Sequence, residues 1–185
     1  GEVIATSDVR PTLEQLEAVL PRFTGSIEQV PPSFSALKID GKPAYKRARA
    51  GEAITIKPRQ VTILELRVIA AAECKVTLSA TVSKGTYIRS LARDIAHALG
   101  TVGHLSYLRR TRAGPFTLDH AVSLDFLTET AKARALTRTV LPLTAALDDI
   151  PALPVTPDQA RLLRHGQILV GFPAKPGLCL AMQEE

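Results

Sequence analysis

A tyrosine and an arginine stand two positions apart where a strand pattern gives way to a helix pattern, in TVSKGTYIRSLARDIAHALG, residues 81–100. Gly85 permits a sharp backbone turn, so that Tyr87 and Arg89 project from the start of the helix. Free N–H groups at a helix start favour an anion, and the guanidinium adds a cation. The pattern is therefore compatible with an anion-binding position. Taken alone, it favours the plainer alternative, a core-edge aromatic beside a surface cation.

Other kinds of site chemistry have little support in this sequence. The four histidines have no second ligand at a metal-binding spacing, so we expect no metal. Ser83 is not in a G-x-S-x-G motif, and the glycines near it form neither a P-loop nor a dinucleotide fingerprint. We therefore expect neither acyl-transfer chemistry nor a cofactor.

The charge of the chain favours an anionic partner such as nucleic acid. The net charge is +5 over 185 residues, with a sequence pI near 9.5. Two basic clusters are suited to a polyphosphate backbone, although a merely basic soluble protein is an equal alternative. The clusters comprise Lys38, Lys42, Lys46, Arg47 and Arg49, and then Arg109, Arg110 and Arg112.

The expected location is the cytoplasm. Cys74 and Cys179 lie far apart without a CxxC partner, which is typical of a reducing compartment rather than a disulfide framework. No apolar run reaches the roughly eighteen residues of a membrane span, and no signal-peptide pattern is present at the start. We therefore expect a soluble protein with no membrane partner.

Local patterns predict the elements of the first half of the chain. Thr12 and Gln15 form a capping box that begins a helix, which Pro21 ends. Residues 43–50 predict a short basic helix that stops at Gly51.

Two strands are predicted beyond that helix. The stretch between the first two helices is expected to be a proline- and serine-bearing loop with a turn at Asp40 and Gly41. Residues 60–70 change phase near Ile63 and Leu64, so a strand there requires a bulge. CKVTLSATV alternates with period two and predicts a half-buried strand.

The second half contains further helix signals. Ile88, Leu91, Ile95 and Leu99 recur at helical spacing, and Gly100 supplies a stop. The remaining predictions are a short helix over 101–108, a helix capped by Ser123, a helix over 156–166 that begins with a Thr156–Gln159 capping box, and strands over 167–172 and 178–182.

Three stretches carry a family resemblance when they are taken together. SKGTYIRSLARDIAHALG, HLSYLRRTRAGPF and PPSFSALKIDGKPAYKRARAGE resemble the bacterial tRNA pseudouridine synthase B (TruB) family in order and spacing, over about residues 1–170. The resemblance implies an α+β fold: a mixed, largely antiparallel sheet flanked by helices. Residues 1–150 would belong to the catalytic domain, and residues 151–185 would begin a small PUA-like β unit that binds RNA.

The resemblance also implies an activity. The family isomerises uridine 55 in the T-loop of tRNA to pseudouridine, without a metal or organic cofactor, after flipping the base into a pocket. Tyr87 and Leu108 match the family's pocket positions, and the Tyr87 hydroxyl is a candidate to assist proton removal. Arg89 matches the arginine that pairs with the nucleophilic aspartate.

Cationic and aromatic residues are the expected tRNA contacts. Lys38, Tyr45 and Arg49 fall where the family inserts a segment over the T-loop, with a solvated basic loop as an equal alternative. Arg109 and Arg110 are expected to contact tRNA phosphates or to pair with surface acids, and Lys84 is a further substrate-binding candidate. We expect a monomeric protein whose partner is the T-loop and T-stem.

One departure from the family concerns its nucleophile. The family's aspartate lies in a G-T-L-D-type motif before the quoted stretches, and no aspartate of this chain follows such a motif. Asp94 is five residues after Arg89, which turns it well away around the helix. We therefore expect the sequence to be a fragment that is inactive alone. A non-catalytic tRNA-binding module is the alternative, and a guide-RNA-dependent relative is disfavoured by the SALK segment.

Overall fold

The computed structural model describes residues 2–172 and 176–183. The helices of these residues are α1 Leu13–Val19, α2 Ala44–Arg49, α3 Ile88–Ala98, α4 Leu124–Lys132 and α5 Pro157–Arg164. The strands are β1 Gly25–Gln29, β2 Lys38–Ile39, β3 Lys42–Pro43, β4 Arg59–Ala72, β5 Lys75–Val82, β6 Arg112–Ala113, β7 Phe116–Thr117, β8 Ala152–Val155 and β9 Leu180–Gln183. No helix among these is long and apolar enough to cross a bilayer.

The main sheet has the strand order β1-β4-β5, and both pairings are antiparallel. Its register shifts between Ile63 and Glu65, which confirms the bulge that the change of phase predicted. A second shift lies between Val68 and Ala70. Since each bulge adds one residue to β4, apolar side chains before and after it can face the same side.

The core of the first unit lies where α1 and α3 pack on this sheet. Ile63 is fully buried and joins residues of both helices in one cluster. The next residue, Leu64, is 66% exposed, so the bulge separates a core side chain from a surface one. The buried members of the cluster are Leu16, Val19, Leu20, Ile63, Leu91 and Ile95.

The predicted helix starts are confirmed by their hydrogen bonds. The Thr12 hydroxyl accepts from the N–H of Gln15, and the Gln15 side chain accepts from the N–H of Thr12. Thr156 and Gln159 form the same reciprocal pair at α5, and the Ser123 hydroxyl caps α4. Such caps depend on residues three positions apart and are therefore legible in sequence.

Three predictions of local structure are wrong. Residues 25–29 are strand β1 rather than loop, because their backbone pairs with residues 59–63 of β4. The same predicted loop also contains the short antiparallel pair β2 and β3, on either side of the turn at Asp40 and Gly41. The helix over 101–108 is absent: the chain turns at Gly100 and passes so close to α3 that a Cβ at Gly103 would lie 3.0 Å from that of Ala96. Residues 167–172 form no strand.

The chain divides into two compact units, Gly1–Leu108 and Arg109–Glu185. In the second unit, β8 and β9 pair in parallel, and β6 and β7 form a short hairpin. The predicted strand over 178–182 is thus confirmed as β9. The α+β prediction is confirmed by the antiparallel sheet and its helices, and the domain boundary at residue 150 stays a prediction.

Candidate active site

The turn that precedes α3 is tied to the main sheet by hydrogen bonds of Ser83. Its N–H donates to the carbonyl of Thr62 at 2.8 Å, and its hydroxyl accepts from the N–H of Thr62 at 2.9 Å. The Thr86 hydroxyl donates to the Ser83 carbonyl at 2.8 Å, across a turn in which Gly85 has a φ of +85°. The tight turn predicted at Gly85 is confirmed, and it is anchored on both sides.

Tyr87 is the residue that precedes the first turn of α3. Its backbone is extended, with φ −97° and ψ 108°, and no side chain within the helix caps it. Instead its N–H donates to the Oε1 atom of Gln29, 58 residues earlier, at 2.7 Å. Gln29 ends β1 and is only 2% exposed. A buried side chain of the sheet therefore holds the backbone of the half-buried tyrosine.

The charges at the start of α3 favour the binding of an anion. The first turn of this eleven-residue helix contains no acidic residue, and Arg89 contributes a cation there. The unpaired N–H groups and the dipole of the helix favour negative charge at the same end. A carboxylate or phosphate placed near Arg89 would therefore meet favourable charge from both the helix and the side chain.

The Arg89 guanidinium is exposed and donates to the backbone carbonyl of Phe34 at 2.8 Å. Within residues 2–172 and 176–183, no carboxylate oxygen lies within 4.0 Å of it. A guanidinium has five N–H donors, so this bond leaves most of them for another partner. Asp94 is held by Arg93, with 2.8 Å between Nε and Oδ1.

Residues 30–37, which we call the strap, connect α3 with the basic helix α2. The Ser90 hydroxyl donates to the carbonyl of Val30 at 2.7 Å, which fixes one end. At the other end, the carbonyl of Ser35 accepts from the N–H of Tyr45 at 3.0 Å. The strap thus joins the first turns of two helices that are distant in sequence.

Beyond the strap, the chain forms β2, β3 and α2 and then reaches Glu52. We call this segment the basic surface. Arg47 bridges two acids of this segment, with Nε 2.6 Å from Glu52 and a guanidinium nitrogen 3.3 Å from Asp40. The hydrogen bond that Arg47 donates to the Glu52 carboxylate raises the pKa of Arg47 above its ordinary value. Arg47 therefore stays charged, and its two ion pairs link Asp40 to Glu52 within this segment.

Other cations of the basic surface are unpaired. No acid lies within 4.0 Å of them in the part of the chain that the structure describes. The Arg49 guanidinium carbon lies 5.6 Å from the centre of the Tyr45 ring, a cation–π arrangement. The unpaired cations of the surface are Lys38, Lys42, Lys46 and Arg49.

The remaining predicted site residues lie at exposed positions. Lys84 is exposed in the turn before α3, and Leu108, in an irregular segment, is 62% exposed. Arg109 and Arg110 begin the second unit and are exposed. Arg110 also lines a cavity of about 230 Å³ together with Phe116 and other residues. The roles assigned to these residues stay predictions.

The sequence reasoning missed Gln29 and Ser90. Ile27 and Gln29 share the inward phase of β1, while Ser26 and Glu28 are exposed, so a period-two signal existed over five residues. A pattern of five residues was too short to distinguish a strand from a loop beside Pro31.

Among the described residues there is also no cluster of three or more potential metal ligands.

Family models account for most of the chain. The model described as "TruB family pseudouridylate synthase (N terminal domain)" matches residues 1–88, and the "tRNA pseudouridylate synthase B C-terminal domain" matches residues 89–148. The class of protein that both models describe is the TruB pseudouridylate synthases. The chain belongs to the TruB family.

Curated relatives named tRNA pseudouridine synthase B agree with this assignment. The chain is 56% identical to that of Zymomonas mobilis, over 100% of the chain and 61% of the relative. It is 52% identical to that of Novosphingobium aromaticivorans, over 96% of the chain and 60% of the relative. The chain thus spans about three-fifths of the length of these relatives.

Solved structures show the same fold. A chain from the crystal structure of a Cbf5-Nop10-Gar1 complex aligns with a TM-score of 0.63 at 26% identity, covering 87% of this chain and 46% of that one. A chain from the structure of an H/ACA RNP bound to a substrate RNA containing 2'-deoxyuridine aligns with a TM-score of 0.62 at 23% identity, covering 89% and 46%. The second likeness concerns the fold alone.

Proposed function

We propose that this chain carries part of the active site of a tRNA pseudouridine synthase that converts uridine 55 of the T-loop to pseudouridine. The observation that carries the proposal is the start of α3, where Tyr87 and Arg89 match the family's motif at a helix end that favours anions. The names of the curated relatives support tRNA as the substrate.

The reaction requires that the target base leave its stack and enter a pocket. Leu108 and the ring of Tyr87 are the proposed apolar and aromatic surfaces that replace the lost stacking. The Tyr87 hydroxyl is proposed to assist removal of the proton from the carbon at which the base is rejoined to the sugar. The hydrogen bond from Tyr87 to Gln29 supports this role, because it fixes the backbone that carries the phenol.

Arg89 is proposed to pair with the ionised carboxylate that attacks the substrate. Its bond to the carbonyl of Phe34 orients the side chain and leaves N–H donors for a second acceptor. In the proposed enzyme this carboxylate comes from outside residues 1–185. Pairing with the guanidinium keeps such an acid ionised in an apolar pocket.

The basic surface is proposed to hold the phosphates of the T-stem and T-loop. Lys38, Tyr45 and Arg49 would contact the backbone on the side of α2, and Lys84 would do so beside the turn. Arg109 and Arg110 are proposed as further phosphate contacts. The proposed protein is a cytoplasmic monomer that uses neither a metal nor an organic cofactor.

The proposal is tested by mapping pseudouridine in an unmodified tRNA. This chain and a version extended upstream through its own coding sequence are each incubated with the tRNA, and with a matched tRNA that has cytidine at position 55. We expect conversion at position 55 by the extended version only. Conversion at a different uridine, or by neither version, would refute the assignment.

A non-catalytic RNA-binding module is the second candidate. It is favoured by the lack of an acidic partner for Arg89 among the described residues. In the same experiment, binding of tRNA by both versions without any conversion would support that candidate instead.

A further inference from the structure

The geometry points to Gln29 as a positioning residue for Tyr87. This inference rests on the proposed function, since it assigns a purpose to the bond that holds the tyrosine. Gln29 is among the few polar residues that the described part of the chain buries, at 2% exposure. A buried amide is retained at a cost in desolvation, so its bonding partner identifies its role.

The partner of Gln29 is the backbone of Tyr87. The Oε1 atom accepts the Tyr87 N–H at 2.7 Å, across 58 residues of chain. Within the described residues, the Nε2 atom of Gln29 has no hydrogen-bond partner. Gln29 therefore acts through its side-chain carbonyl oxygen. The residue that it holds is Tyr87, whose phenol is the proposed catalytic group.

Gln29 is itself held firmly. It ends β1, in register with Arg59 of β4, and the strap begins at the next residue. Ser83 ties the other side of the turn to Thr62, also of β4. The turn is consequently bonded to the main sheet at Ser83 on one side and at the N–H of Tyr87 on the other.

The N-cap position of α3 makes the role of the acceptor specific. The Tyr87 side chain does not cap the helix. The carbonyl of Tyr87 accepts the helical bond from the N–H of Leu91 at 3.0 Å, whereas its N–H is held by Gln29. Loss of the Gln29 acceptor would free the N–H side of Tyr87 while the body of α3 stays packed through Leu91 and Ile95. The expected consequence is a misplaced phenol on an intact helix.

The test compares Gln29→Met, which keeps the side-chain length but removes the acceptor, with Gln29→Glu, which keeps it. We expect a carboxylate to be accommodated at this place, because it would lie against a helix N-terminus that has no acid of its own. Gln60→Met is the matched control, since Gln60 is an exposed glutamine of β4 that accepts from Ser26.

Single-turnover conversion of tRNA by the upstream-extended version is the first measurement. Gln29→Met is expected to slow it roughly 10- to 100-fold, since small misplacements of a reacting group cost this much. The dissociation constant for tRNA should stay within about 3-fold, because no phosphate contact is removed. Gln29→Glu and Gln60→Met should convert at nearly the unsubstituted rate.

Hydrogen exchange of the Tyr87 amide in this chain is the second measurement. Gln29→Met should make it exchange roughly 10-fold faster, while Gln29→Glu leaves it protected. If Gln29→Met does not fold, Gln29→Asn repeats both measurements with an amide that is one methylene too short to reach.

The assignment of Gln29 would be overturned by an unchanged exchange rate at Tyr87 in Gln29→Met, or by equal slowing of conversion by Gln29→Met and Gln29→Glu. Ser90→Ala separates positioning from mere stability, because it removes a bond between α3 and the strap without touching Tyr87. A rate loss in Ser90→Ala as large as in Gln29→Met would also refute the assignment. Lack of conversion by the unsubstituted protein refutes the proposed function, and the exchange measurement remains decisive for the backbone contact.

Discussion

The start of α3 and the basic surface around α2 lie at the two ends of the strap, and they are built in opposite ways. At α3, buried polar contacts with the sheet and the strap hold Tyr87 and Ser90 in fixed places. At α2, exposed cations surround one group of salt bridges, which Arg47 forms with Asp40 and Glu52. Chemistry on a single base needs the first kind of structure, whereas attraction of phosphates needs only charge.

The strap shows how the two regions are connected. It accepts hydrogen bonds from Arg89 through Phe34 and from Tyr45 through Ser35. Because carbonyls of the strap are hydrogen-bonded to both helices, the strap helps to set the position of the basic surface relative to Tyr87 and Arg89. The difference between the regions predicts that substitutions at α3 alter rate, while substitutions at α2 alter affinity and its dependence on salt.

The largest effect is expected from Tyr87→Phe, which removes one hydroxyl from the more ordered region. In the upstream-extended version, single-turnover conversion should fall roughly 10²- to 10⁴-fold, the range for loss of a proton-transfer group. The matched control is Tyr107→Phe, because Tyr107 is 69% exposed. Equal rates for Tyr87→Phe and the unsubstituted protein would remove the phenol from the mechanism.

Substitution of Ile63 tests the core on which α3 rests. Ile63→Ala should lower the free energy of unfolding by about 2 to 5 kcal/mol, because Ile63 is fully buried between the sheet and both helices. Leu64→Ala, one residue along the same strand but 66% exposed, should change it by about 0.5 kcal/mol or less. Chemical denaturation measures both, and equal losses would contradict the burial of Ile63 and the exposure of Leu64.

Charge removal at α2 should have the smallest effect on rate and a measurable effect on binding. The double variant Lys46→Ala, Arg49→Ala should weaken tRNA binding and lower the slope of log affinity against log salt by about 2, one per lost phosphate contact. Lys132→Ala is a control in the second unit, where Glu129 pairs with Lys132 at 3.0 Å. A salt slope unaltered by the double variant would argue against phosphate contact at α2.

Local rules were sufficient for the starts of α1 and α5 and for the apolar face of α3. The capping boxes at Thr12 and Thr156 and the apolar spacing in α3 each involve residues within one or two turns, so the sequence alone predicted them correctly. The bulge beyond Ile63 was also legible, because a change of phase in a strand has one simple explanation.

Local rules failed where a distant partner decides the structure. β1 is a strand because it pairs with the edge of β4. A five-residue stretch of mixed polarity does not by itself identify such a partner. Residues 101–108 form no helix, and Gly103 instead passes close beside Ala96 of α3. In both cases tertiary packing outweighed weak local preference.

By itself, the sequence determined the helix starts, the bulge, the basic surface and the family to which Tyr87 and Arg89 point. Only the tertiary structure showed that Gln29 holds Tyr87 and that Arg89 binds the carbonyl of Phe34. The physical reason is that these bonds join atoms more than fifty residues apart, so their existence depends on how the strands and the strap are brought together rather than on any neighbouring residue.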